Sequence, residues 1–275
     1  MALTRIHHVA AIVADADEAL KFWRDALGLV VSRDEVIQDQ GVRGILMPMG
    51  NCEIELIQPI RDDTGVAKYL ADRGEGLHHI CFESTDVASD LLDAKARGME
   101  MIDETPRPGL AGMIGFVHPR SNHGVLIEFA QPPAGEAAGS APASDFAPQR
   151  LHHAVCAVRD RVEAGDTLIR NFGLADGGQN RFEEVGLENW FLDLGDTQLE
   201  LVTPLTDNER DPLVRRLQQG EGMFMLALSV RSVSAAVDRL RAAGVKCTDP
   251  IAEAPATYLS PKHTHGVRIA LDQAV

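Results

Sequence analysis

Cysteine is scarce in this chain and follows no pattern. The four present, Cys52, Cys81, Cys156 and Cys247, form no CxxC pair and no framework spacing, which excludes a disulfide-stapled scaffold and fits reduced, buried thiols. Long apolar runs are missing too: nothing approaches the ~20 residues of a membrane span. The opening Met1-Ala2-Leu3-Thr4-Arg5 lacks a basic stretch followed by an apolar core, so no signal peptide is expected. Positive charge is in deficit, with 26 Lys and Arg against 41 Asp and Glu and a net charge of −15. That balance argues against nucleic acid or an anionic membrane surface as partner. The scattered thiols fit a cytoplasmic protein, and the acidic balance is one that many soluble cytoplasmic enzymes share. The 275 residues suit two domains of about 100–150 residues each.

What the chain does have is repetition. Arg73-Gly74-Glu75-Gly76-Leu77 matches Gln219-Gly220-Glu221-Gly222-Met223, and Glu53-Ile54-Glu55-Leu56-Ile57-Gln58-Pro59 matches Gln198-Leu199-Glu200-Leu201-Val202-Thr203-Pro204. Ile6-His7-His8-Val9 matches Leu151-His152-His153-Ala154 in the same way, and the offsets agree, 153 − 8 = 145 and 200 − 55 = 145. The second half therefore repeats the first. Inside each half a weaker repeat shows in the helix after each opening strand. Leu20, Trp23 and Leu27 share one helical face, as do Val87, Leu91 and Ala94; a third helix ends at Gly173, and a fourth carries Val233, Val237 and Leu240. Each helix stops at a glycine suited to a left-handed cap, and the counts from strand to glycine are 28 − 8 = 20, 98 − 79 = 19, 173 − 153 = 20 and 244 − 225 = 19. Three short alternating segments follow each glycine, so the predicted unit is βαβββ, four times over, an α+β chain with two curved mixed sheets. Short connecting helices are expected at Val66–Arg73 and Leu213–Gln218. Gln131-Pro132-Pro133-Ala134-Gly135-Glu136-Ala137-Ala138-Gly139-Ser140-Ala141-Pro142-Ala143-Ser144 is small and proline-rich and reads as a linker. The expected division is a module at 1–131, a linker at 132–149 and a second module at 150–275.

The repeat also places potential metal ligands. Neighbours on a strand point to opposite faces, so only one histidine of each pair, taken as the second, reaches a common interior. His8 and Glu55 come from the first unit and His79 and Glu128 from the second, at matching spacings of 55 − 8 = 47 and 128 − 79 = 49. Each glutamate sits inside an apolar strand, where an unpaired charge is costly and a cation is expected. Two imidazoles and two carboxylates suit one divalent ion such as Co, Zn, Ni or Mn. A lone buried histidine is more often a hydrogen-bonded core residue, and that reading is kept for His7, His78, His118 and His123. In the second half His153 and Glu200 persist, but Met225 stands in the place of His79 and Ala270 in the place of Glu128. One working site per chain is expected, with the second module degenerate.

These residues resemble the vicinal-oxygen-chelate superfamily, which includes glyoxalase I, extradiol dioxygenases, bleomycin-resistance proteins and methylmalonyl-CoA epimerase. Residues 5–130 are most similar to the epimerases, through Gln40-Gly41-Val42-Arg43, Gly50-Asn51-Cys52-Glu53-Ile54-Glu55-Leu56, Ala67-Lys68-Tyr69-Leu70, Arg73 to Glu83 and His118-Pro119-Arg120-Ser121. The resemblance implies tandem vicinal-oxygen-chelate modules and a 1,1-proton transfer α to the thioester of a short acyl-CoA, through a metal-stabilised enolate. A base is then needed on each face. The resemblance makes Glu128 one and, as in glyoxalase I, Glu55 the other. Some epimerases carry a further glutamate after Gln40-Gly41-Val42, where this chain reads Arg43-Gly44-Ile45. It also implies a pseudo-dimer of two modules within one chain, itself compatible with a homodimer. Arg120 and Lys68 are placed near a CoA phosphate by the resemblance and at a solvated surface by their charge. The competing readings are a glyoxalase-type lyase or isomerase on another small oxygen chelator, and a non-catalytic binding protein of the bleomycin-resistance kind. A dioxygenase fits less well, since such sites use two histidines and one carboxylate.

Overall fold

The structure, a computed structural model, describes every residue except Ala2, 136–138, 249–255 and Val275. The four βαβββ units are all recognisable. The first runs β1 (Leu3–Ile12), α1 (Ala16–Leu20), β2 (Arg33–Ile37), β3 (Val42–Pro48) and β4 (Glu53–Pro59), followed by a connecting helix α2 (Gly65–Arg73). The second is β5 (Gly76–Ser84), α3 (Val87–Ala96), β6 (Arg107–Gly109), β7 (Gly112–Val117) and β8 (Leu126–Gln131). The third is β9 (Pro148–Ala157), α4 (Arg161–Phe172), β10 (Ala175–Phe182), β11 (Leu187–Leu194) and β12 (Thr197–Pro204), with the connecting α5 (Pro212–Gln218) after it. The fourth is β13 (Gly222–Val230), α6 (Val233–Ala242), β14 (Thr257–Leu259) and β15 (Ile269–Gln273). Its expected middle strands are one short of the pattern among the described residues; Cys247 makes only an isolated bridge to Leu259, and 249–255 lie outside them.

Two mixed sheets result, ordered β2-β3-β4-β1-β5-β8-β7-β6 and β10-β11-β12-β9-β13-β15-β14. In every unit the first strand lies parallel to the last, as β1 with β4, β5 with β8, β9 with β12 and β13 with β15. A parallel return needs a crossover, which the unit's helix supplies. Local chemistry sets where those helices begin. Asp15, Asp86, Asp160 and Ser232 each accept backbone N–H groups of the first turn they precede, satisfying donors that the helix itself cannot. The predicted glycines end them: Gly28, Gly98, Gly173 and Gly244 all have φ between 73° and 89°. At Gly173 the backbone is left-handed and its N–H closes on Ile169, a conformation that costs a residue with a Cβ about 1–2 kcal/mol. The first helix departs from the simple expectation by widening into a π-helical stretch over Lys21–Ala26. That keeps Phe22, Trp23 and Ala26 all buried.

Contacts divide the chain into two compact units, each drawing on both halves of the sequence. One comprises 1–7, 79–136 and 153–224. Within it, Phe172 at the end of α4 meets Phe82 and Phe129 edge-on, at 5.4 and 6.1 Å, and the Asn171 amide donates to the Ser121 carbonyl at 3.1 Å. The other comprises 8–78, 137–152 and 225–275. There the Arg239 guanidinium lies 4.3 Å from the centre of the Phe146 ring and donates to the Ala26 carbonyl at 3.0 Å. Ala147 is fully buried, and the Gln149 amide donates to the carbonyls of Pro142, Ser144 and Ala147. The stretch expected to be a plain linker is therefore docked at its far end; its residues 136–138 lie outside those described.

Candidate metal centre

The expected ligands meet. One donor atom from each of His8, Glu55, His79 and Glu128 lies within 4.8 Å of all the others. Register explains how. In the β1–β4 pairing His8 is opposite Glu53 and Ala10 opposite Glu55; in β5–β8 His79 is opposite Leu126 and Cys81 opposite Glu128. Each glutamate thus stands two residues further along its partner strand than its histidine. Since alternate residues share a face, all four side chains turn the same way while Ile54, Leu56, Ile80 and Ile127 fill the other side of the sheet.

The pairs are close, with His8 Nε2 3.2 Å from Glu55 Oε2 and His79 Nε2 2.8 Å from Glu128 Oε2. All four are buried, at 1%, 7%, 1% and 4% exposure in chain order. The His79 ring is fixed edge-on to Phe116 at 5.2 Å. Two buried acidic side chains beside two imidazoles make a place where a divalent cation would be favourable. Donor atoms gathered within 4.8 Å of one another are close enough for metal–ligand bonds of about 2.0–2.2 Å to approach one common point. The donor set therefore suits a first-row divalent ion.

The remaining histidines are elsewhere engaged. His7 is buried and groups with His8 and Cys81, a second cluster of potential ligands that shares His8. His78 stacks edge-on with Tyr69 at 4.8 Å. His118 accepts the Arg120 N–H at 3.2 Å and caps the short turn Pro119–Ser121. His123 lies 3.1 Å from Glu221. Arg120 is largely exposed beside Glu100, and Lys68 is exposed on α2.

In the third unit the matching glutamate has a side-chain donor beside it. His153 Nε2 is 3.3 Å from Glu200 Oε2, again with the glutamate two residues along. The other Glu200 oxygen accepts the Asn189 amide at 2.5 Å. Asn189 occupies the position of Gly44, since 189 − 44 = 145. Its own oxygen accepts both N–H groups of Asn180, at 3.1 and 3.2 Å, which turns the NH2 group toward the carboxylate. A fixed donor in that place satisfies Glu200 and repels a positive ion. Met225 and Ala270 supply no substitute ligand at the matching positions. The Asn189 arrangement was hidden in the sequence, although the 145-residue offset exposes it.

Similarity to known proteins follows the same division. The profile of the glyoxalase/bleomycin resistance protein/dioxygenase superfamily matches residues 7–117 and again 152–258. The uncharacterized protein YqjC of Bacillus subtilis is 32% identical over 131 residues, which is 47% of this chain and 94% of that protein. Mitochondrial methylmalonyl-CoA epimerase of Mus musculus is 31% identical over 131 residues, 47% of this chain and 74% of the relative. Among solved structures, a variant of 4-hydroxymandelate synthase from Streptomyces coelicolor covers 98% of this chain and 92% of its own, with a TM-score of 0.75 at 19% identity. That last likeness concerns the fold.

Proposed function

Because the chain belongs to the glyoxalase/bleomycin resistance protein/dioxygenase superfamily, we propose that it is a metal-dependent epimerase of a short acyl-CoA of the methylmalonyl type. In this reading residues 1–131 are the catalytic module, 132–149 the connection and 150–275 a module that has lost its site. The observation that carries the proposal is the buried quartet of His8, Glu55, His79 and Glu128, standing in the half similar to methylmalonyl-CoA epimerases. His8 and His79 would hold a divalent ion as neutral imidazoles, Glu55 and Glu128 as carboxylates. When bound, such an ion supplies a Lewis acid that offsets negative charge on the substrate oxygens, an effect worth several kcal/mol.

The proton chemistry falls to the two carboxylates. Inverting a carbon requires a base on one face and an acid on the other. Glu128 and Glu55 reach the centre from separate strand pairs, so once one of them has taken up a proton from solvent, the other, ionised, can remove the α-proton while the first returns a different one. A product made this way gains a solvent-derived proton at the α-carbon. This follows from having two monoprotic bases.

The test is proton exchange at the α-carbon of methylmalonyl-CoA in deuterated water, followed by NMR. Wild type is expected to wash deuterium in, and His79→Ala to lose the activity. No exchange by the metal-loaded wild type would end the epimerase reading. It would favour the second one, a glyoxalase-type isomerase or lyase on another small oxygen chelator. One observation already leans that way: Gly44 gives β3 no non-ligand carboxylate on the face it shares with Leu46, the partner of Glu55.

A further inference from the structure

We propose that His265, in the half of the chain that lacks two of the four donors, is a positioning residue for the metal centre of the first half, acting through Glu75. The proposal rests on the reading that His8, Glu55, His79 and Glu128 hold a divalent ion. The Glu75 carboxylate gathers two partners. Its Oε1 accepts the backbone N–H of Ala14 at 2.9 Å, just past the end of β1. His265 Nδ1 lies 3.1 and 3.0 Å from its two oxygens. Glu75 immediately precedes β5. One side chain therefore ties the end of the strand that carries His8 to the start of the strand that carries His79, and anchors both to a residue of the other half.

The contact is built to hold. His265 has a φ of 52°, a left-handed backbone that a non-glycine residue seldom adopts. Gly266 follows it against the Glu75 carbonyl, where an added methyl group would collide. The chain paths of 74–76 and 265–266 thus touch main chain to main chain, with the imidazole–carboxylate pair alongside. Both side chains are mostly shielded, at 21% and 30% exposure.

The same joint occurs a second time with the roles exchanged. Glu221 is the counterpart of Glu75, 221 − 75 = 146, and His123 that of His265, 265 − 123 = 142. Glu221 accepts the Arg159 N–H at 2.7 Å and pairs with His123 Nδ1 at 3.1 Å. His123 has a φ of 50°, and Gly124 lies against the Glu221 carbonyl. Two independent copies of one arrangement, strained histidine included, are a designed feature of the fold. Their bearing on the metal centre is unequal, however. The Glu75 joint governs the strands of two ligands, whereas the His123 joint governs only the start of β8, which carries Glu128.

Because the Glu221 joint also serves a half without a full donor set, a purely structural role has to be separated from a positioning one. The readout must come from the metal. Cobalt(II) alone is added to the full-length chain, and its affinity is followed by equilibrium dialysis and its coordination by visible absorption. His265→Ala is expected to bind at least tenfold more weakly, the lower end of the effect of groups that orient ligands from outside, and to shift the visible band. His265→Asn keeps a donor and tolerates the left-handed backbone, so it is expected to restore both properties. His123→Ala should lose less than His265→Ala. Unchanged cobalt affinity and spectrum in His265→Ala, even with a lower melting temperature, would overturn the proposal and leave the metal reading intact. A wild-type chain that takes up no cobalt would overturn the metal reading and this inference with it. Should His265→Ala not fold, Glu75→Gln retains an acceptor while removing the charge; a several-fold weaker cobalt site is expected there, and no change would again overturn the proposal.

Discussion

Replacing Glu128 by glutamine separates what a buried carboxylate does for folding from what it does for an ion. Glu128 is 4% exposed and 2.8 Å from His79. Glutamine keeps an oxygen to accept the imidazole N–H and removes one of two buried acidic groups, Glu55 and Glu128, that crowd one place, so the lost pairing is offset by relief of their mutual repulsion and desolvation. In chelator, the variant should therefore match wild type to within about 1 kcal/mol. With the ion present the outcome differs. At a free concentration 100 times its Kd, an ion stabilises wild type by about 2.7 kcal/mol. If losing an anionic ligand weakens binding about 100-fold, the variant retains RT ln 2, about 0.4 kcal/mol. For a chain of this size, at ~2 °C per kcal/mol, the expected rise in Tm with zinc is about 5 °C for wild type and about 1 °C for Glu128→Gln. Differential scanning calorimetry in EDTA and in excess zinc measures both. An equal zinc-induced rise in the two proteins would refute the assignment of Glu128 as a ligand, and a fall of several degrees in EDTA would show its charge to be structural.

Two further outcomes are expected. Asn189→Ala leaves the buried Glu200 carboxylate without its 2.5 Å donor and should cost about 2–3 kcal/mol in urea unfolding, with or without metal; a loss under about 0.5 kcal/mol would contradict the role given to that amide. Burial pushes the Cys156 thiol up to about 12, with Arg216 opposing and Glu200 adding to the shift. Aromatic disulfide reagent at pH 8 should leave it untouched in the native chain while half-buried Cys247 reacts first, and fast native labelling of Cys156 would count against its enclosure.

Much of the fold was legible because it rests on local periodicities. The helix faces of Leu20, Trp23 and Leu27, and of Val87, Leu91 and Ala94, are buried as their spacing requires. The strand alternation fixed the inward face, and with it the convergence of His8, Glu55, His79 and Glu128. Other features depend on partners far along the chain and have no local signature. His123 is hydrogen-bonded, as expected of it, but nothing near it or near His265 shows the partner, a glutamate 98 or 190 residues away. Their signal was the recurrence of His-Gly-Val and Gly-Glu-Gly in both halves, visible only if the two motifs are considered together. Phe146 and Ala147 looked like the tail of a polar linker because nothing nearby showed that α6 would offer Arg239 to cover them. The π-helical widening at Lys21–Ala26 likewise serves burial on one side and carries no mark in composition.

The amide of Asn189 bears on any attempt to build a four-donor site in the second half. Grafting a histidine at Met225 and a glutamate at Ala270 would bring the second half to four potential donors, but the carboxylate they should join already accepts an amide held in place by Asn180. An ion could compete there only after a third change, of Asn189 to a residue as small as Gly44.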